Sequence, residues 1–396
     1  MHDLGTWSGR TRARVMLAAA LLPALTGCAG GRRRASPAAP AAPAPARIGS
    51  PSAAETLDVD TIFAGYDRPR TPGASVAVIR DGRVAFMKSY GLANLETGER
   101  ATVYTDYRLA SLTKQFTAMA VMLLVKDGRL HLDDRVSDVL PGLPAYARAV
   151  TIRELLGHTS GLWDYEDFVP DTLSTQVHDA FVLDALRRVD STYFPPGTRW
   201  RYSNTGYVLL GMVVAHVSGE SFPRFLRDRI FAPLGMDSTV AYEAGVSTVP
   251  RRAYGYSPDS AGGFRRTDQS PTSATLGDGG VYTSVHDLVA WNRALDEGTL
   301  AGPALQREAW TSGTLADGAR TGYGFGWFVD RDAAGPRLWH YGETMGFTNA
   351  IVKYPERRLT VIVLTNRTGG APWNLATRVA ALPRFGGVRG DPMPVP

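Results

Sequence analysis

Leu109-Ala110-Ser111-Leu112-Thr113-Lys114-Gln115-Phe116 sets a serine hydroxyl and a lysine amine three residues apart. The apolar residues that follow (Phe116, Met119, Ala120, Leu123, Leu124) predict a buried helix starting near this pair. On a helix, positions i and i+3 share a face, so the amine can lie beside the hydroxyl. A helix start also brings backbone N–H groups toward any oxyanion that forms at the serine. An N-capping serine followed by a surface lysine would give the same spacing. Composition weighs against that plainer reading, because the chain has only four lysines (Lys88, Lys114, Lys126, Lys353) against 39 arginines. With 22 serines in 396 residues, chance alone gives about 0.2 matches to S-x-x-K. An arginine keeps its proton inside a protein, whereas a lysine amine can be desolvated into a general base. Lys114 is therefore a candidate catalytic group, with Ser111 as its nucleophile.

A length of 396 residues allows one large domain or two, with 44% hydrophobic and 20% charged residues. The formal charge of +5 is local. Residues 1–50 hold seven arginines and one acid, so the remainder is close to neutral. That excludes the basic body that nucleic-acid binding favours. Arg10, Arg12 and Arg14 precede an apolar run from Val15 to Leu25. The run falls short of the roughly 20 residues a membrane span needs and fits the core of an export signal. It leads into Leu25-Thr26-Gly27-Cys28, which resembles a bacterial lipobox; Cys28 is the only cysteine in the chain. Residues 1–28 are thus expected to be a lipoprotein signal peptide. The expected location is the cell envelope of a bacterium, with membrane association through a lipid on Cys28. Pro-Ala repeats within residues 29–54 cannot pack a core and read as an extended tether.

The body begins near Glu55. Ser75–Ile79 and Val84–Ser89 flank Arg80-Asp81-Gly82-Arg83 and read as a β-hairpin. From Leu130 to about Val240 the pattern is mostly helical, with candidate helices at Ile152–Leu156, His178–Val189, Gly206–Val217 and Phe222–Ile230. Ala261–Gly280 has loop character, and Val285–Leu295 is helical again. Arg337–Tyr341, Phe347–Lys353 and Leu359–Thr365 read as strands, and Trp373–Ala381 as a closing helix. Strands at both ends imply one sheet assembled from the two termini, with helices inserted between. No H-E-x-x-H, P-loop or G-x-S-x-G occurs, and neither a cofactor nor a metal is expected. Gly322-Tyr323-Gly324-Phe325-Gly326 matches no dinucleotide fingerprint and is read as a close-packing loop.

Two further stretches stand out. Tyr202-Ser203-Asn204 lies where a turn enters a helix, so a phenol and an amide could reach one cleft. Trp339-His340-Tyr341-Gly342-Glu343 ends a predicted strand. Each alone could be ordinary packing or capping. In this order, Ser111-x-x-Lys114, Tyr202-x-Asn204 and His340-Tyr341-Gly342 resemble the three motifs of the serine β-lactamase and penicillin-binding family, class C-like branch. Leu155–Leu162, Pro196–Thr198 and Gly279–Ser284 are similar to other strings of that family.

The resemblance covers residues 58–383 and implies an α/β sandwich of β-lactamase/transpeptidase type. Its α/β part is expected from residues 55–110 and 280–396, and an all-helical subdomain from 111–279. It implies a serine hydrolase acting through an acyl-enzyme on Ser111, with Lys114 as proton relay and Tyr202 as base. Asn204, His340, Gly342 and Glu343 would bind substrate, the last through its backbone N–H at the oxyanion. Esters, amides or D-residue peptides are the expected substrates. The body is expected to be a monomer. A non-hydrolytic penicillin-binding or sensor lipoprotein on the same fold is the alternative. One departure matters: family members that recognise penicillin carry Lys-Thr-Gly or His-Thr-Gly at the third motif, and here Tyr341 replaces the threonine. The missing hydroxyl shifts the expectation from β-lactams toward esters and peptides, unless a protonated His340 anchors a carboxylate alone.

Overall fold

Asp81-Gly82 lets the chain reverse, with both residues at positive φ (51° and 74°) as a two-residue hairpin requires. The turn joins β1 (Ala74–Arg80) to β2 (Arg83–Tyr90). This geometry comes from a computed structural model in which residues 53–391 are described, residues 53–57 by their backbone alone. Cys28, the signal and most of the tether lie outside the described residues.

Four strands from the other end of the chain complete the sheet: β3 (Phe328–Asp332), β4 (Gly335–Thr344), β5 (Phe347–Tyr354) and β6 (Leu359–Thr365). Their order is β3-β4-β5-β6-β1-β2, and every neighbouring pair is antiparallel. The β1–β6 pairing, with Val76 opposite Val363, is the seam between the chain's two ends. Three of these strands and the hairpin were legible as apolar runs. Phe328–Asp332 was not, because its three charged residues and edge position hide the alternation.

Period-2 alternation sorts the sheet into two apolar faces. Ala77, Ile79, Ile351, Ile362 and Leu364 join a core built with the central helices. Val76, Val78, Val352, Val361 and Val363 join a second core, with Val59 and Phe63 of the helix Ala53–Phe63 and Trp373 and Val379 near the C-terminus. Each such fully buried aliphatic side chain contributes roughly 1.5–3 kcal/mol. The helices that matter for the site are α1 (Lys114–Lys126), α2 (Asn204–Ser218), α3 (Val285–Glu297) and α4 (Pro372–Ala380). Within 240–283 the chain is not purely helical. Val240–Ala241, Val281–Thr283 and Tyr107–Arg108 form a small sheet, and Tyr256–Pro258 pairs with Phe264–Arg266. The glycines and serines there concealed these two- and three-residue strands.

A second buried lysine qualifies the argument from composition. Lys353 on β5 is 3% exposed, donates to Asn292 Oδ1 at 3.0 Å and pairs with Asp296 on α3. It ties a helix to the sheet, so rarity of lysine marks burial as well as catalysis.

Asp106, five residues before Ser111, and Asp287 are buried carboxylates that share one serine. Ser238 Oγ lies 2.7 Å from Asp106 Oδ1 and 3.1 Å from Asp287 Oδ2, yet it has one proton to donate. A protonated Asp106 satisfies both contacts, donating to Ser238 while Ser238 donates to Asp287. Burial raises Asp106 to about 7. The sign follows from linkage: a carboxyl raised in the folded state stabilises it below the unfolded pKa, and that contribution is lost as pH rises through about 7. Asp106→Asn mimics the protonated form. Between pH 5 and pH 8 the wild-type melting temperature should fall by roughly 5 °C more than that of the variant. Parallel melting curves across that range would refute the shared-proton arrangement.

Candidate active site

Ser111 sits in a short 3-10 turn, Ala110–Thr113, that runs into α1 at Lys114. Ala110 has φ +50°, a left-handed conformation that a side chain resists. The surroundings over-determine it. Leu109 N–H donates to Val281 O at 2.8 Å, and Asn349 Nδ2 on β5 donates to Arg108 O at 2.8 Å and Leu109 O at 3.2 Å. Gly342 on β4 packs so closely that a Cβ there would lie 2.1 Å from Leu109 O. The turn is thereby wedged against the sheet.

Lys114 is fully buried in the first turn of α1. Its Nζ donates to Ser111 Oγ at 3.0 Å, Asn204 Oδ1 at 2.8 Å and the Asp278 carbonyl at 3.1 Å, which uses all three donors of an ammonium. Burial lowers its pKa to about 8, against the opposing pull of Asp278, Glu166 and Asp164. Lys114 can therefore give up its proton near neutral pH.

Tyr202 and Asn204 arrive together at the start of α2. The Tyr202 ring centroid lies 4.9 Å from Lys114 Nζ, and the Ser111 side chain is near enough to pull on the phenol's titration. Burial pushes this phenol well above its ordinary value, and the Asp278, Asp164 and Glu166 carboxylates push it the same way. Burial thus moves the amine and the phenol in opposite directions, which eases deprotonation of Lys114 and hinders that of Tyr202. Asn204 is oriented through its backbone, whose N–H donates to Asp164 Oδ2 at 2.6 Å.

The third motif departs from the sequence expectation. His340 is fully buried, with Nε2 3.0 Å from the Tyr323 hydroxyl and Nδ1 2.7 Å from Tyr341 O. A carbonyl can only accept, so Nδ1 donates; in the neutral ring that burial favours, Nε2 then accepts from Tyr323. Burial, reinforced by Lys114, lowers its pKa to about 3. His340 is therefore neither a cation nor open to a substrate carboxylate, which corrects its assignment to substrate binding. Gly342 serves the close approach described above. Glu343 is exposed and pairs with Thr348 at the end of β4, the strand that packs on the nucleophile turn. Of the aromatic residues near the two later motifs, Tyr207 and Trp339 belong to the core, while Trp200, Tyr202 and Tyr341 stay half-buried.

Several residues escaped the sequence reading. The His158 ring lies tilted against that of Tyr202, with centroids 4.3 Å apart, and accepts from Ser203 N–H at 3.2 Å through Nδ1. Tyr323 fills the space between His158 and His340. It comes from the glycine loop, whose Gly326 (φ +76°) lies against Lys114 O and Gln115 and would bring a Cβ within 2.9 Å of each. Asp164, Glu166 and Asp278 surround the lysine with carboxylates, and Tyr165 donates to Asp278 Oδ2 at 3.0 Å. The Leu155–Leu162 string held the signal for His158, and Asp278 adjoins the Gly279–Ser284 string. Nothing marked Asp164 or Glu166.

Comparison with known proteins places these features in context. A family model described as Beta-lactamase matches residues 59–383. The chain is 31% identical over 337 residues to penicillin-binding protein 4* of Bacillus subtilis (strain 168), covering 82% of this chain and 74% of that protein. D-amino acid amidase from Ochrobactrum anthropi SV3, complexed with L-phenylalanine amide, aligns with a TM-score of 0.71 and 27% identity. That alignment covers 83% of this chain and 97% of the amidase. The penicillin-binding protein homologue from Pyrococcus abyssi, described as octameric, aligns with a TM-score of 0.71 and 29% identity, covering 83% of this chain and 76% of that one. An octameric relative lends no support to the monomer expected from sequence.

Proposed function

This chain belongs to the beta-lactamase family, with its β-lactamase/transpeptidase-like fold, and from that premise we propose that it is a class C-like serine hydrolase forming an acyl-enzyme on Ser111. Its preferred substrates are esters and amides of amino acids with a free amine. The observation that carries the mechanism is the buried Lys114, bonded at once to Ser111 Oγ, Asn204 Oδ1 and the Asp278 carbonyl.

Ser111 Oγ attacks the substrate carbonyl while its proton passes to the Lys114–Tyr202 pair. The same proton is returned to the leaving amine or alcohol. Water then attacks the acyl carbonyl and loses a proton to the pair; the Ser111 Oγ–acyl bond breaks, the pair returns that proton to Ser111 Oγ, and the acid leaves. The backbone N–H groups of Ser111 and Glu343 are the candidate oxyanion donors. Because Lys114 and Tyr202 interact closely, their titration belongs to the pair.

Charge supports the substrate class. No cation stands at the third motif to meet a carboxylate, since His340 is neutral and Tyr341 replaces threonine. Around Lys114 lie Asp164, Glu166 and Asp278. Burial is the first cause raising Glu166, to about 7, and the neighbouring carboxylates add to it. A cluster of mutually repelling carboxylates is relieved by an arriving ammonium. The amidase that this chain resembles was complexed with an amino-acid amide.

The p-nitroanilide of D-phenylalanine should be cleaved with kcat/KM about tenfold above that of its N-acetyl form, the worth of one partly solvated charge pair. A chromogenic cephalosporin should fall below both, and the D-phenylalanine methyl ester above all three. A cephalosporin cleaved faster than the free-amine donors would overturn the substrate class and leave the acyl-enzyme standing. Absence of fluorophosphonate labelling at Ser111 would overturn the mechanism itself.

A further inference from the structure

Arg367 follows β6, and its guanidinium lies 4.5 Å from the Tyr66 ring centroid and 5.7 Å from that of Phe264. Tyr66 is itself fixed by a 2.6 Å hydrogen bond to Gly370 O, and the Arg367 carbonyl accepts from Thr348 Oγ1 at 3.0 Å. Backbone and side chain are both held, yet Nε is buried without a partner. Arg367 lines a cavity of about 630 Å³ together with Arg68 and Arg70. None of the three guanidinium groups has an ion-pair partner among the described residues. Arg70 also sits at φ +54°, a left-handed conformation that a side chain resists.

Two carboxylates share the wall, and both are committed elsewhere. Glu96 Oε2 accepts from the Tyr256 hydroxyl at 2.5 Å. Asp259 Oδ1 accepts from the N–H groups of Ala261 and Gly263 at 2.9 and 2.8 Å. Three guanidinium groups thus line the cavity with two carboxylates, a net positive charge, and neither carboxylate is paired with any of the three. A guanidinium held beside an aromatic ring by a cation–π contact keeps its N–H groups available for bidentate oxyanion contact.

From this geometry we infer that the cavity is a second binding site, separate from the catalytic one, for a carboxylate or phosphate group. It lies where β6 ends and β1 begins, whereas the nucleophile turn packs on β4 and β5. At roughly 5 Å per strand, two or three strands place the two sites about 10–15 Å apart. The site favours an oxyanion, because a carboxylate or phosphate matches the guanidinium fork and offsets the net positive charge of the wall.

Calorimetric titration of the full chain with inorganic phosphate and with succinate, at constant ionic strength, tests this. At least one anion should saturate a single site below about 10 mM. Arg367→Gln should weaken it about ten- to a hundredfold, the worth of lost charge-assisted hydrogen bonds. Hydrolysis of a neutral p-nitrophenyl ester should not change. Binding of phosphate alone assigns a phosphate group, binding of succinate alone a carboxylate, and binding of both an unselective oxyanion site. If Arg367→Gln fails to fold, the double substitution R68A/R70A at exposed positions decides, with a loss of about tenfold. No saturable binding of either anion, or equal affinity in wild type and variants, overturns the inference.

Discussion

Lys114→Arg should lower kcat/KM by about a thousandfold or more, although the formal charge is kept. The reaction needs an amine that can shed its proton, and Lys114 is held at about 8 by burial. Guanidinium cannot follow it there. It also presents five donors where the site supplies three acceptors, Ser111 Oγ, Asn204 Oδ1 and Asp278 O. In the wild type, log(kcat/KM) for a neutral ester should climb with pH and level off above about 8, as the amine becomes the proton acceptor. The arginine variant should show no such limb in its residual activity. Retained turnover within a few-fold of wild type, with the same pH limb, would reduce the lysine to a structural cation and shift the base to Tyr202 alone.

The proximity of Ser111 and Lys114 was legible because it is local: three residues on a helical turn can only be neighbours. The antiparallel sheet was legible where both faces are apolar, as in Leu359–Thr365, whose seven residues are all buried. The pairing of chain ends followed from where those runs fall. What sequence hid was long-range chemistry. Asp164 and Asn204 are 40 residues apart, and their 2.6 Å hydrogen bond has no local signature. The state of His340 depends on Tyr323 and on complete burial, neither of which a motif of three residues contains. A histidine next to a tyrosine and a glycine reads as a polar site residue until its surroundings remove the water that would charge it. The opposite effects of burial on Lys114 and Tyr202 were hidden for the same reason. Desolvation acts on both, but it lowers the amine and raises the phenol.

Gly342→Ala should nearly silence acylation while leaving a folded protein, with kcat/KM down about a hundredfold and a melting temperature lowered by several degrees. A Cβ at this position would lie 2.1 Å from Leu109 O and 3.2 Å from Leu112 N. Neither atom is the end of a flexible side chain. Both belong to the backbone of the nucleophile turn, so either β4 or the turn must retreat by about an ångström. The sheet resists, because Gly342 is paired with Asn349 on β5 and the same strand is paired with β3 up to Trp339. Retreat of the turn pulls against Asn349, whose Nδ2 holds Arg108 O and Leu109 O. It also relaxes Ala110 from its left-handed conformation, and Ser111 Oγ then leaves the 3.0 Å contact with Lys114. Misplacement of that order is worth about a hundredfold when attack geometry decides the rate. The readout that separates this from simple unfolding is the rate of fluorophosphonate labelling at Ser111, measured well below the melting temperature. A slow rate in a folded variant is the expected result. Labelling at the wild-type rate would mean that the wedge between β4 and the turn supports the fold alone, and that Ser111 is positioned from the helical side by Lys114 and Asn204.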